Sequence, residues 1–403
     1  MTFHGTWITA AIVFGSIAIA TGSATAQKRY APGVSDNEIK IGQTMPYSGP
    51  VSAWGKIGRA ELAYIKMIND QGGVNGRRVT LISLDDAYSP PKTVEQTRKL
   101  VEQDGVAFVF GALGTAANLA VRKYLNDQRV PQLFLLSGSE QFNDPEHFPW
   151  SISLIPTYLL DGQTHAKYIL AHKPDAKIAV LYQNDDYGKA HVRGINAGLG
   201  ERAKDLVVRE LPYEVSEPTV DSQIVTLRAS GANTLYIAAA PKFAAQAIRK
   251  VGELGWKPLQ LLTYTSQSIS GVLEPAGLEN AIGTISASFA KDPTDPTWKD
   301  DPDMKEYFEW VRKYFPSSDG KDTDVAAGYL YAAALVPLLK ECGDDLSREN
   351  IMQHATNLHD FTIPLLLPGI SLNTSPTDYR PIKELRETRF NGKFWENVDE
   401  NSH

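Results

Sequence analysis

The stretch VAFVFGALGTAANLAVRKYLNDQ, residues 106–128, changes its character part-way along. Residues 106–110 form a continuous apolar run, short enough for a strand buried on both faces. Residues 116–128 read as a helix, and a tight turn containing Gly111 and Gly114 lies between, with the helix beginning at Thr115. The same alternation recurs along the chain. Strand-like runs stand at 38–45, 79–85, 131–136, 177–182 and 234–239, and helical stretches at 93–104 and 243–254. In the last of these Phe243, Ala247, Val251 and Leu254 recur at i, i+4, i+8 and i+11, one face of a helix. Apolar strands separated by helices mean parallel sheets covered on both faces, so the predicted class is α/β, doubly wound. Such sheets bind ligands beyond the carboxyl ends of their strands. The turns at 43–59, 85–92, 111–118, 136–144, 182–189, 239–243 and 263–270 are therefore where a site is expected.

Length and composition bound the reading. A chain of 403 residues, 42% hydrophobic, suggests two domains and can bury a large core without staples. It needs to, because Cys342 is its one cysteine and no intramolecular disulfide can form; Cys342 is expected in the core or at a helix end. A formal net charge of -7, with no cluster of five basic residues, argues against a nucleic-acid partner. Residues 1–26 carry no Asp, Glu, Lys or Arg, and an apolar run from Ile8 to Ala20 leads to Ala24-Thr25-Ala26. This reads as a signal peptide cleaved after Ala26, the run being short for a membrane span of about 20 residues. The segment KDPTDPTWKDDPD, 291–303, is acidic and proline-rich without the spacing of a calcium loop, and is expected to be a solvated connection.

Catalytic patterns are absent from the sequence. It holds no Gly-x-Ser-x-Gly elbow, no His-Glu-x-x-His and no cysteine pair for zinc. In SGPVSAWGKI, 48–57, five residues separate Gly49 from Gly55 and Ile57 stands where a phosphate loop needs Ser or Thr. The histidines at 147, 165, 172, 191, 354 and 359 are scattered, and Asp85-Asp86 and Asp185-Asp186 suit turn or helix capping. No catalytic residue, metal or cofactor is expected. What remains is the turn 111–117. Free amides and the helix dipole make such a turn an anion site, and without a cation in it a single carboxylate fits better than a polyphosphate. Thr115 suits either a helix cap or a ligand contact.

Longer motifs carry a resemblance. IKIGQTMPYSGPVSAWG (39–55), NDQGGVNGRRVTLISLDDAYSPPKTVEQTRKLV (69–101), FGALGT (110–115), KIAVLYQNDDYGKAHVRG (177–194), TVDSQIVTLRASGANTLYIAAAPKFAAQAIRKVGELGW (219–256) and LLLPGISLNTSPTDYRPI (365–382) resemble the leucine/isoleucine/valine-binding proteins, periplasmic solute-binding proteins of ABC importers with the type I fold. The resemblance covers about 36–398. It implies two doubly wound lobes joined by three crossovers, at 36–156 plus about 290–362 and at 157–289 plus about 363–398. It also implies ligand capture by lobe closure, no enzymatic activity, a monomer, and an ABC permease in the inner membrane as partner. Carried over by motif, Trp54 covers the ligand, Leu113, Gly114 and Thr115 take its carboxylate, and Leu136, Ser137 and Gly138 form the next turn. Tyr187, Ala240, Pro241, Tyr264 and Thr265 contribute from the second lobe, with Tyr158 just past the first crossover.

Amino-acid binders of the family place an acidic side chain where Thr265 aligns, facing the ligand ammonium. Here TYTSQS (263–268) offers hydroxyls and amides, and an unpaired buried ion costs several kcal/mol or so. An amine-free carboxylate therefore fits better. Trp54, Leu113, Tyr187 and Tyr264 add flat apolar surface suited to a ring. Finer similarity in PQLFLLSGSEQF, QNDDYGKA and LLLPGISLNTSPTDY resembles a subgroup for plant-derived aromatic acids such as hydroxycinnamates and benzoates. Branched-chain amino-acid carriage and ligand sensing for a periplasmic receptor are the alternative expectations.

Overall fold

The computed structural model describes residues 28–398 together with 1, 2, 4 and 5. The predicted signal peptide lies, but for those four positions, outside the described residues. Two parallel-based sheets organise the chain. The first contains β1 (Glu38–Met45), β2 (Arg78–Asp85), β3 (Val109–Phe110), β4 (Gln132–Leu135) and β5 (Ser151–Ser153), in the spatial order β2-β1-β3-β4-β5. All its pairings are parallel. The second contains β6 (Ile178–Gln183), β7 (Val207–Tyr213), β8 (Thr234–Ala238), β9 (Leu259–Leu262) and β10 (Ile285–Ser288), in the order β7-β6-β8-β9-β10. Both sheets thus reverse direction beside their first strand. In this topology the crevice at the reversal is the ligand position.

The second sheet continues with two antiparallel strands, β11 (Arg386–Phe390) and β12 (Trp395–Asn397), beside β10. The sequence reading missed them because Arg386–Phe390, RETRF, is polar in all but its last residue and forms no apolar run. Strand β3 is shorter than predicted, yet the ladder is held further back: Ala107 N–H donates to the Lys40 carbonyl at 2.8 Å and Gly42 N–H to that of Phe108 at 3.0 Å.

Helices α1 (Gly55–Asp70), α2 (Pro90–Arg98) and α3 (Thr115–Asp127) cover the first sheet, and α4 (Tyr158–His172), α5 (Asp186–Leu199), α6 (Asp221–Ala229) and α7 (Pro241–Glu253) the second. Helix α2 starts three residues before the predicted position because Pro90 and Pro91 suit a first turn, whose amides need no partner. It ends at Arg98 in a wider π-helical turn, Lys99–Gln103. Helices α8 (Pro302–Tyr314) and α9 (Thr323–Glu341) return to the first unit. There the Tyr329 ring meets Tyr64 of α1 edge-on at 5.0 Å. A Cβ on Gly328 would lie 2.4 Å from the Ile57 carbonyl oxygen, so α9 and α1 touch backbone to side. Cys342 closes α9, buried, and burial pushes its thiol up to about 12.

The described chain passes between the units three times: between β5 and α4, between β10 and α8, and before β11. The second crossing departs from expectation. Of the connection expected to be solvated, 291–303, only the later part is: Lys291 and Asp295 are each 7% exposed, whereas Pro296, Thr297, Lys299 and Asp300 are exposed. Lys291 is drawn in by Asp301 and Asp303, at 2.8 and 3.0 Å.

Candidate ligand site between the sheets

Strand β3 ends at Phe110, and the turn that follows is held open by glycine. Gly111 and Gly114 have φ of 59° and 110°, in the range that favours glycine. Gly114 is doubly constrained, because a Cβ there would approach the Tyr88 ring to 2.9 Å. The amides of Leu113 and Gly114 are spent on the sheet, donating to the carbonyls of Thr44 and Leu136 at 3.3 and 3.2 Å. Helix α3 then begins at Thr115 without a side-chain cap, so the capping reading of Thr115 is set aside. Its hydroxyl instead lies 2.7 Å from that of Ser137, and both lie beside the Tyr158 hydroxyl. Three hydroxyls and the open first turn of a helix converge on one point, an arrangement that solvates an anion without a countercharge.

Aromatic rings wall the space beyond. Trp54 stands 6.2 Å from both Tyr88 and Tyr187, and Tyr187 meets Tyr158 edge-on at 5.1 Å. Burial pushes the phenols of Tyr88, Tyr187 and Tyr264 well above their ordinary value, so they remain protonated. Tyr88 sits in a turn where it and Ala87 adopt φ of 58° and 51°. Non-glycine residues there store about 1–3 kcal/mol each and persist where surrounding structure demands it. Asp86 supplies that demand: its carboxylate accepts the Tyr88 amide at 2.9 Å and the Thr93 hydroxyl at 2.8 Å. Asp85 binds Ser48 and Lys92, and Asp185 caps α5 through the Gly188 amide, so both acidic pairs serve turns and caps.

Several bonds join the two units across this space. Trp54 Nε1–H donates to the Thr265 carbonyl at 3.1 Å, Gln183 Nε2–H to the Tyr88 hydroxyl at 3.3 Å and Ser268 Oγ–H to Asp322 at 3.1 Å. Arg193 pairs with Glu140 at 2.6 Å on the rim.

Beneath the second wall lies a fully buried polar chain. Asp161 accepts from the Tyr236 hydroxyl at 3.0 Å; His191 Nδ1 bonds that hydroxyl at 2.9 Å and lies 3.1 Å from the carboxylate, with His165 Nε2 at 3.4 Å. Burial opposes the Asp161 charge, but His165 and His191 outweigh it and hold the carboxyl far below its ordinary value. His191 Nε2 faces Thr263 Oγ1 at 3.3 Å, which faces Thr265 Oγ1 at 3.3 Å, which pairs with the Tyr187 hydroxyl at 2.8 Å. The chain leads from Asp161 to the ligand space, where Thr265 and Tyr187 present hydroxyls able to donate or accept.

A cavity of about 120 Å³ occupies this cleft. Of the positions singled out from sequence, Trp54, Leu113, Gly114 and Thr115 lie on its wall, as do Leu136, Tyr158, Tyr187, Tyr264 and Thr265. Ser137 and Gly138 do not. They border a much smaller pocket behind it, Ser137 reaching the site through Thr115. Ala240 and Pro241 lie outside the cavity wall as well: Ala240 is fully buried, its amide donating to the Tyr213 hydroxyl at 2.9 Å. Sequence reasoning missed Tyr88, although its turn after β2 was among those marked. It also missed the wall supplied by the crossing segments, including Phe289, Asp292 and Trp298, and by Asp324 and Leu330 of α9.

Residues 38–393 match the sequence profile of a family described as periplasmic binding protein. The chain belongs to that family. This periplasmic binding protein is 26% identical over 359 residues to Leu/Ile/Val-binding protein homolog 1 of Brucella suis biovar 1 (strain 1330), covering 86% of this chain and 85% of the relative. Its fold is similar to that of a branched-chain amino acid ABC transporter protein from Thermus thermophilus solved with bound valine. That pair shares 19% identity and a TM-score of 0.80, over 91% and 96% of the two chains. It is also similar to a fatty acid ABC transporter substrate-binding protein from Thermomonospora curvata, at 22% identity and a TM-score of 0.75 over 93% and 95%.

Proposed function

We propose that this protein is exported to the periplasm by its signal peptide and captures a small apolar carboxylate with an aromatic, hydroxycinnamate- or benzoate-like body. It passes the ligand, as a monomer, to an ABC permease in the inner membrane. In this reading the lobes are 36–156 plus about 290–362 and 157–289 plus about 363–398, and ligand contacts from both bias the hinge toward closure. The observation that carries it is the pairing of an uncharged, hydroxyl-rich anion end at α3 with a wall of aromatic rings. An ammonium would need an ionised partner. Among wall acids, Asp295 spends an oxygen on the Thr297 amide at 2.8 Å, and burial pushes Asp292 and Asp324 up toward their neutral forms.

One observation favours a second reading, branched-chain amino-acid binding: the lone pairs of Thr265 and Tyr187 could accept ammonium protons. A thermal-shift comparison with p-coumarate and L-leucine separates the two. A ligand at 100 times its Kd adds about 2.7 kcal/mol to the folded state. Stabilisation by coumarate alone is expected; stabilisation by leucine alone would replace this reading with the second.

The anion end has its own test. Thr115→Ala should weaken carboxylate binding by about 1–2 kcal/mol, read by calorimetry. Unchanged affinity in a folded variant would leave Thr115 as the first residue of a helix and nothing more.

A further inference from the structure

The cavity does not end at the rings. It runs on between α9 and the second crossing, past Phe289, Trp298, Ala327 and Leu330, to Asp324. Asp324 is 7% exposed and its Oδ2 has no hydrogen-bond partner among the described residues. Thr388 of β11, 4% exposed, also lines the cavity with an unpartnered hydroxyl oxygen. Buried polar atoms are nearly always paired, and leaving one unpaired is costly. Two such atoms stand on residues of the cavity wall.

Resting on the aromatic-carboxylate reading, we propose that Asp324 forms a second polar end to the site, receiving a hydroxyl on the far side of the ligand ring while the carboxylate sits at α3. The ligand class is accordingly a hydroxylated aromatic acid instead of an unsubstituted one. Neighbouring charges narrow the choice. Asp322, two residues earlier, receives Lys56 at 2.5 Å. Burial opposes ionisation of Asp322, but Lys56 outweighs it and keeps the carboxyl charged. A second ligand carboxylate at Asp324 would stand beside that charge. An ammonium would meet a carboxyl that burial and Asp322 together hold toward its neutral form. A hydroxyl suits it, since a carboxyl in either state can accept its proton.

The test is calorimetry on the protein with two probes, cinnamate and 4-hydroxycinnamate, in the wild type, Asp324→Asn and Asp324→Ala. The wild type should prefer the hydroxylated acid by about tenfold, the worth of one well-made buried hydrogen bond. Asp324→Ala should abolish that preference, and Asp324→Asn, which keeps an acceptor oxygen, should retain part of it. Equal binding of both probes by the wild type would overturn the role of Asp324 and leave the aromatic reading standing. A preference that survives in Asp324→Ala would overturn it too. Binding of neither probe would overturn both. The wild-type comparison stands even if a variant fails to fold.

Discussion

Asp161→Ala should cost about 3–5 kcal/mol of folding stability, the range found when one partner of a buried charged cluster is removed. Tyr236 would lose its acceptor, and His191 and His165 their charged neighbour, in a region where none of the four is exposed to water. Urea unfolding monitored by circular dichroism reads the loss. A change below about 1 kcal/mol would mean that water or a neighbour replaces the carboxylate, and the buried chain would then have no structural weight. The same group gives an acid signature. Its folded pKa lies below the ordinary 3.8, so its stabilisation is present above that value and is withdrawn as the pH falls toward the folded pKa. Wild type should therefore lose stability on acidification below about pH 4 more steeply than Asp161→Asn, which has no such proton to bind.

Gly162→Val should be nearly as damaging for a different reason. Helices α4 and α5 cross with their backbones in contact: a Cβ on Gly162 would lie 2.3 Å from the Ile195 amide nitrogen and 2.4 Å from the Gly194 carbonyl carbon. Backbone cannot step aside as a flexible side chain can, and overpacking of this kind costs about 3 kcal/mol or more. Because α4 presents Tyr158 and α5 presents Tyr187, the variant should also bind its ligand more weakly at temperatures where it remains folded. A thermal melt within about two degrees of wild type would show that the helices can separate freely, contrary to this packing.

The fold was legible where apolar period and punctuation agreed. Strand β1 was read to its observed ends, and the helix start at Thr115 followed from a glycine turn after an apolar run. Strand β7 was missed because VVRELPY carries charges and a proline, tolerable at a sheet edge but unlike a buried strand. At the site, positions that follow strand ends could be anticipated, because topology alone sends them to the crevice. The same rule marked the turn 239–243, in which the family resemblance singled out Ala240, yet its short side chain packs inward and its amide is claimed by Tyr213. Asp324 could not be found this way. It sits early in a long apolar helix, and only the return of α9 to α1, across more than two hundred residues of chain, brings it to the ligand space.

The second crossing, between β10 and α8, also lines the cavity, as do Leu365 and Leu367 of the third. Redesigning the protein for a new ligand would meet this double duty directly. Substitutions at Trp54, Tyr187 or Thr265, carried on the two bodies, would alter preference while leaving the pivot unchanged. If the lobes close as proposed, substitutions at Phe289, Trp298 or Leu365 would shift preference and the ease of closure together, so a library confined to the first set keeps recognition separable from motion.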